Sequence, residues 1–442
     1  MPASVLVRVP VRVPVFASPA SAHLPGVHSP HTQPPSHGRN SLYDTALLRN
    51  CERGFSSPPR THPSHNPATH HEPRTMSQPS APPGRVAMIT VDWLPAWMLA
   101  TYGTTWVATP QIDRLAAGGV TLDNVVVPSL EPAETLAALV PAESGDAVLV
   151  TDSPQAAAEP PGEACDRRIV VEARPAGRCG DSEEATCLGR LFAAAVAEAA
   201  SASRLLWVHA GSLGVAWDAP LEFRDSLADP DEPPPPRDAA VPCETDTTDP
   251  DLVWGWRQAF AGQVMLLDRQ VGRLLAALDE QAAGGRWSVV LAGLRGMPLG
   301  LHGQLGIGND LPLPPYGEVA QVPLVIADAA GRMAGQRFGG LVVPEDVGRL
   351  VQTLLGGEGE PPLAGLLERW EMPQREQVIT LGTGGGSIVT PAWRLVARRE
   401  ADSGRLVMAG LFARPDDFHE QNDVADRCRD IADELLALLP QP

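Results

Sequence analysis

Asp92, His302 and Asp310 are the residues of this sequence whose types and settings could do chemistry. Asp92 ends the apolar run Val86–Val91, His302 sits in Gly300-Leu-His-Gly303, and Asp310 follows Asn309. Carboxylates and an amide are oxygen ligands for a hard divalent cation. Asp92 with Asn309-Asp310 would offer two or three of the roughly six or more oxygens that Ca²⁺ takes, water filling the rest. His302, like His209, carries an imidazole that could act on a substrate as acid or base. Each residue also has a plainer reading. A lone histidine in a sheet region is more often a hydrogen-bonded structural residue, and Asp92 by itself reads as a helix cap or turn residue.

The basic residues narrow the chemistry further. All 34 are arginine, and the 442 residues contain no lysine. A Schiff base, a P-loop lysine and a lysine clamp on phosphate or sulfate are therefore excluded. Biased base composition in the gene explains the usage without changing that exclusion. The six cysteines (Cys51, Cys165, Cys179, Cys187, Cys243 and Cys428) form no C-x-x-C pair and no Cys/His cluster of zinc spacing. They read as free thiols, with a Cys179–Cys187 bridge left open. Gly382-Thr-Gly-Gly-Gly386 lacks the G-x-G-x-x-G spacing and leads into a strand, so it reads as a hairpin turn. A formal net charge of −19 argues against nucleic acid or an anionic membrane surface as partner. No run of about 18 apolar residues escapes a charge or a proline, so no membrane-spanning helix is expected.

These residues need elements to position them. Residues 1–85 are dense in Pro, Ser, His and Arg, and eight of the eleven histidines precede residue 72. Residues 1–74 carry seven arginines against three acids, a net of +4, which leaves −23 for the remainder. That break predicts a disordered extension. The cluster His62, His65, His70 and His71 could bind metal, although a proline-rich tail is its simpler setting. Arg8, Pro10, Arg12 and Pro14 interrupt the first apolar stretch, so no signal peptide reads cleanly. Met76 offers a second start, which would leave the protein cytoplasmic.

From Val86 the pattern is that of an α/β protein. Val86–Val91, Ala147–Thr151, Arg168–Glu172, Leu205–His209 and Val289–Ala292 read as short buried strands. A helix begins at Thr109-Pro110 and stops at Gly118-Gly119; Ala185–Ala200 and Val264–Glu280 read as further helices. Asp229–Asp251, with Pro233–Pro236, reads as a solvated loop. The alternation predicts a mainly parallel sheet with helices on both faces. After Gly356 the segments Gln377–Leu381, Ser387–Arg399 and Arg405–Phe412 read as strands and Val424–Leu439 as a closing helix, a small C-terminal α+β unit. The expected division is 1–85, 86–365 and 366–442.

The order of motifs adds a family likeness. Ile89-Thr-Val-Asp-Trp-Leu94, Tyr102-Gly103 and Thr109-Pro-Gln-Ile-Asp-Arg-Leu-Ala116 form the opening. It resembles that of the sulfatase family, within the alkaline phosphatase superfamily, where the first strand ends in Asp-Asp and a T-P-N-I-D-R-L-A helix follows. Leu267–Leu278 resembles the long helix before the last catalytic strand. Val289-Val-Leu291, Gly300-Leu-His-Gly303 and Val322-Pro-Leu-Val-Ile326 resemble the S-D-H-G, G-x-H-G and V-P-L-I-I block. Trp393-Arg-Leu395, Leu411-Phe412 and Gln421-Asn422 resemble its closing segment. The likeness spans most of residues 86–440 and implies the family's fold.

That family hydrolyses sulfate esters with a cysteine oxidised to formylglycine in C-x-P-x-R. It also uses a divalent cation, usually Ca²⁺, and Lys, His and Arg residues on the sulfate. An anionic ester demands such positive charge. Here the first metal aspartate matches Asp92, but the second falls on Trp93. C-x-P-x-R falls on Leu130-Glu-Pro-Ala-Glu134, the Asp and His of S-D-H-G fall on Leu294 and Arg295, and the later lysine falls on Ile307. The histidine after the middle strand falls near Gly214. Glu134 would repel sulfate. The expectation is a sulfatase-like pseudoenzyme, a degenerate member lacking the formylglycine motif and keeping the scaffold for binding, regulation or assembly. Its ligand, a small molecule or a protein, is not named by the sequence. Trp93, Trp97 and Leu130 would make its cleft more apolar. No catalytic residue and no cofactor are expected, with Ca²⁺ or Mg²⁺ at Asp92 and Asp310 if the site is rebuilt. The alternative is a sulfuric or phosphoric ester hydrolase with a rearranged site around Asp92, His302 and Asp310. A third possibility is a chain used only as a folded partner in an assembly.

Overall fold

The computed structural model describes residues 84–142, 146–201, 204–281, 285–308, 312–356 and 375–441. The expected extension up to residue 83, with its histidine cluster, Cys51 and Met76, lies outside the described residues, as does Asp310.

Nine strands form the large sheet: β1 (Arg85–Val91), β2 (Val120–Val126), β3 (Ala147–Thr151), β4 (Arg167–Val170), β5 (Leu205–Ala210), β6 (Trp287–Gly293), β7 (Gln321–Val322), β8 (Leu324–Ala327) and β9 (Gln336–Val342). Their spatial order is β9-β2-β8-β6-β1-β5-β3-β4, with β7 beside β2. The run β6-β1-β5-β3-β4 is wholly parallel, while β7 and β8 run against their neighbours. The sheet is thus mainly parallel, as the alternation of elements implied. Every residue of β1 from Val86 to Val91 is buried, as a central strand covered on both faces requires.

The helices are α1 (Pro110–Ala117), α2 (Pro132–Leu139), α3 (Pro154–Ala158), α4 (Cys187–Ala199), α5 (Leu221–Asp225), α6 (Pro250–Glu280), α7 (Gly317–Ala320), α8 (Pro344–Leu354) and α9 (Arg429–Leu438). Helix α6 begins 14 residues before the expected Val264, with Asp249 as its cap accepting from the amides of Asp251 and Leu252. The glycines that disguised this first half are packing positions. A Cβ at Gly255 would stand 3.1 Å from Pro236, and one at Gly262 3.1 Å from Arg224. Asp268 on α6 caps a different helix, its Oδ1 accepting from Gln111 N (2.9 Å) and Ile112 N (2.8 Å) at the start of α1.

Four antiparallel strands, β10 (Val378–Gly382), β11 (Gly385–Val389), β12 (Trp393–Arg399) and β13 (Leu406–Ala413), form the small C-terminal sheet covered by α9. The expected single strand Ser387–Arg399 is a hairpin instead. Pro391 has no amide to donate, and Thr390 N closes the turn on Trp393 O at 2.8 Å. Gly382–Gly385 makes the expected tight turn. The small sheet is tied to the large one by Leu381 N to Pro128 O (2.9 Å), Leu130 N to Leu381 O (3.2 Å) and the buried bond from Arg394 Nη2 to Gln321 Oε1 (3.0 Å). The five described cysteines are free, and no described helix is long and apolar enough to cross a membrane.

Candidate functional site

The carboxyl ends of β1, β3, β5 and β6 converge on one cavity, lined by Asp92, Asp152 and Gly211 directly after the first three. Asp92 follows β1 and is 7% exposed; Arg295 follows β6 by two residues. They meet as a bidentate pair, Arg295 Nε donating to Asp92 Oδ1 at 3.0 Å and Nη2 to Oδ2 at 3.1 Å. The remaining Nη1 donates to Leu130 O at 3.0 Å. Arg295 Cζ lies 3.6 Å above the Trp93 ring, so the guanidinium is gripped on its edges and on one face. Burial pushes the Asp92 carboxyl above its ordinary range, opposed by the charge and hydrogen bonds of Arg295.

Trp93 reaches this position with φ +64°, a left-handed conformation that costs a bulky residue on the order of 1–3 kcal/mol. Its indole lies against Gly214, where a Cβ would stand only 2.4 Å from Nε1. Stacking and close packing thus hold the strained backbone in place.

The cavity has a volume of about 380 Å³. Besides Asp92 and Arg295 its wall carries Asp152, His209 and the rim carboxylates Glu131 and Glu172. Asp152 accepts from Gly211 N at 2.6 Å and Ser212 N at 3.1 Å, and burial pushes its pKa up to about 6. Burial pushes His209 down to about 4, so its ring is neutral at pH 7. A second cavity of about 580 Å³ is lined by Trp93 and Arg295 together with Val241, Ile307, Leu313 and Thr383 among others. Arg295 and Val215 line both cavities.

The structure separates the residues that the sequence singled out. Asp92 and His209 share the cavity. His302 does not line it: its ring stacks on Tyr316 (3.7 Å between centroids, 8° between planes) and lies 3.8 Å from Glu420. Asp310 falls outside the described residues. The expected apolar character is corrected as well. Trp97 packs against His419 elsewhere, and Leu130 lies beneath Gly382, where a Cβ would meet its Cδ1 at 2.8 Å. Glu131, and not Glu134, lines the cavity. Two residues were missed: Arg295 as the partner of Asp92, and Asp152. The rule that selected Asp92, a carboxylate just past a strand, applies equally to Asp152 after Ala147–Thr151.

No protein-family model matches the chain, and no curated protein does. Solved structures do resemble it. A phosphonate monoester hydrolase of Agrobacterium radiobacter aligns with TM-score 0.60 and 15% identity over 80% of this chain and 95% of its own. A putative sulfatase from Bacteroides thetaiotaomicron aligns with TM-score 0.57 and 17% identity over 81% and 91%. A third, solved with its substrate D-glucosamine-2-N,6-O-disulfate, aligns with TM-score 0.59 and 12% identity over 81% and 97%. The fold is that of the sulfatases.

In this sulfatase-fold chain the residues at the expected cation position do not fit a divalent ion. Both oxygens of Asp92 are bound by Arg295, Trp93 and Leu294 have no oxygen to offer from their side chains, and Leu294 is buried. Among the described residues no group of three or more His, Cys, Asp or Glu is placed to hold a metal. Calcium asks for about six or more oxygens, and the one carboxylate here is already neutralised.

Proposed function

We propose that this chain is a sulfatase-fold protein without ester hydrolase chemistry, retained as a binding module whose ligand enters the cavity beside Asp92. The observation that carries this reading is the bidentate Arg295–Asp92 pair. Hydrolysis of an anionic ester needs an electrophile on the ester oxygens and an activated nucleophile facing them. At the position of the nucleophile stands Leu130, whose side chain packs under β10, and the cation beside Asp92 has three of its five N–H groups bound to Asp92 and Leu130. The neighbouring carboxylates Glu131 and Glu172 add repulsion for an anion.

The test is metal stoichiometry combined with turnover. The full chain is equilibrated with Ca²⁺ or Mg²⁺, desalted and analysed by elemental mass spectrometry, then assayed with p-nitrophenyl sulfate and a phosphonate monoester. The expected result is no stoichiometric ion and no turnover above buffer. One retained ion per chain, with turnover that Asp92→Ala abolishes, overturns the reading in favour of a rearranged hydrolase site.

A further inference from the structure

We infer that the cavity beside Asp92 receives a small organic cation that donates hydrogen bonds, an alkylammonium or alkylguanidinium group, where hydrolytic relatives take an anion. This rests on the non-hydrolytic reading above and names the ligand class of that same site.

The argument begins with hydrogen-bond accounting at Thr90, a fully buried residue of β1. Its hydroxyl meets three partners: Trp207 Nε1 at 3.0 Å, Val208 O at 3.5 Å and His209 Nδ1 at 3.3 Å. The indole can only donate and the carbonyl can only accept. The single hydroxyl hydrogen therefore goes to Val208 O, and all three contacts are made together only if His209 Nδ1–H donates to Thr90 Oγ1. That fixes the tautomer, and Nε2 is left as a bare acceptor on the cavity wall.

His209 is 3% exposed; its ring is bonded to Thr90, at Oγ1 and at the backbone, and no hydrogen bond joins Nε2 to a described side chain. An acceptor so deeply set calls for a donor. Gly211 keeps the approach open: a Cβ there would lie 3.8 Å from Nε2 and 3.4 Å from Asp152 Oδ1.

The other charged groups of the cavity agree. Asp152 is committed to two amides, while Glu131, Glu159 and Glu172 stand at the rim. Arg295 is the single cation that the described residues place on the wall; its charge is met by Asp92, and three of its five N–H groups are engaged by Asp92 and Leu130. A ligand bringing positive charge and N–H groups satisfies both the rim carboxylates and the imidazole; an anionic ester satisfies neither. The volume of about 380 Å³ lies within the range of small-ligand sites, roughly 300–1,000 Å³.

The experiment is a calorimetric titration of the full chain with butylguanidinium and with butyl sulfate, matched in alkyl length. Butylguanidinium should bind and shift the His209 ring resonances, and butyl sulfate should not. Glu131→Gln and Glu172→Gln, both at exposed positions that leave the fold intact, should each weaken the cation about two- to fivefold, the scale of one exposed charge pair. Binding of butyl sulfate in preference to the cation, or an affinity unchanged in both variants, overturns the assignment and leaves the non-hydrolytic reading standing. No binding of either probe overturns it too. Hydrolysis of butyl sulfate would overturn both readings at once.

Discussion

Arg295 and Asp92 stand 203 residues apart in sequence and share two nearly equal hydrogen bonds, 3.0 and 3.1 Å, at the point where β1 and β6 end side by side. A fork of two N–H donors on two carboxylate oxygens is the strongest geometry available to such a pair. A double-mutant cycle measures it. Arg295→Met leaves a buried carboxylate without its counter-charge and should cost about 3–5 kcal/mol, whereas Arg295→Met with Asp92→Leu removes both charges and should cost far less than the two singles summed. Urea unfolding of the four proteins reads the coupling, and additive losses would contradict the geometry.

Removing the arginine should also expose a cation site. Arg295→Ala frees Asp92 Oδ2 and the carbonyl of Leu130, and leaves Oδ1 with the Trp93 amide alone. Millimolar-affinity Ca²⁺ is the expected strength for so incomplete a ligand set. At a tenfold excess over such a dissociation constant, the gain in stability is about 1.4 kcal/mol. Thermal melts with 10 mM Ca²⁺ should therefore shift the variant by a few degrees and leave the parent unmoved.

Gly214→Ala tests the support behind the pair. The added methyl would stand 2.4 Å from Trp93 Nε1, so the indole must move and carry the stacked guanidinium with it. A cost of about 1–3 kcal/mol is expected for such overpacking, with a change in tryptophan fluorescence. A variant with parental stability and an unaltered emission spectrum would place the indole elsewhere.

Stability should fall on the alkaline side of about pH 6.5 because of Glu318. Burial pushes this carboxyl up to about 8, and it pushes His209 and His302 down to about 4. Ordinary values are near 4.3 for Glu and 6.5 for His. Between about pH 6.5 and 8 the histidines are neutral in both states, while folded Glu318 holds a proton that the unfolded chain has released. The folded state binds more protons, so stability declines as pH rises. Below about pH 6.5 the unfolded chain takes protons that the two folded histidines refuse, and this is offset by Glu318 and, below about pH 6, by Asp152 and Asp268, whose carboxyls burial also raises, so no steep acid limb is expected there. Glu318→Gln should flatten the alkaline limb in calorimetry. An unchanged limb would assign the decline to another group.

The sheet was legible in the sequence because β1, β3 and β5 are uninterrupted apolar runs, the pattern of strands buried on both faces. β2 was not, since Asp123 and Asn124 break Val120–Val126 where the strand is only partly covered. The first half of α6 hid behind glycines that serve packing. At the site, Asp92 was found from its place after a strand. What could not be read was the Asp92–Arg295 contact itself, because pairing between neighbouring parallel strands leaves no local spacing. His302 was singled out by a glycine-flanked motif whose geometry serves the contact with Tyr316.

A side-chain guanidinium on Asp92 has a biosynthetic consequence. A dissociable ion must be acquired from the surroundings and can be stripped by a chelator. Arg295 is translated with the rest of the polypeptide and stays attached to it. The Arg295–Asp92 pair is complete on folding, both partners being carried by one polypeptide.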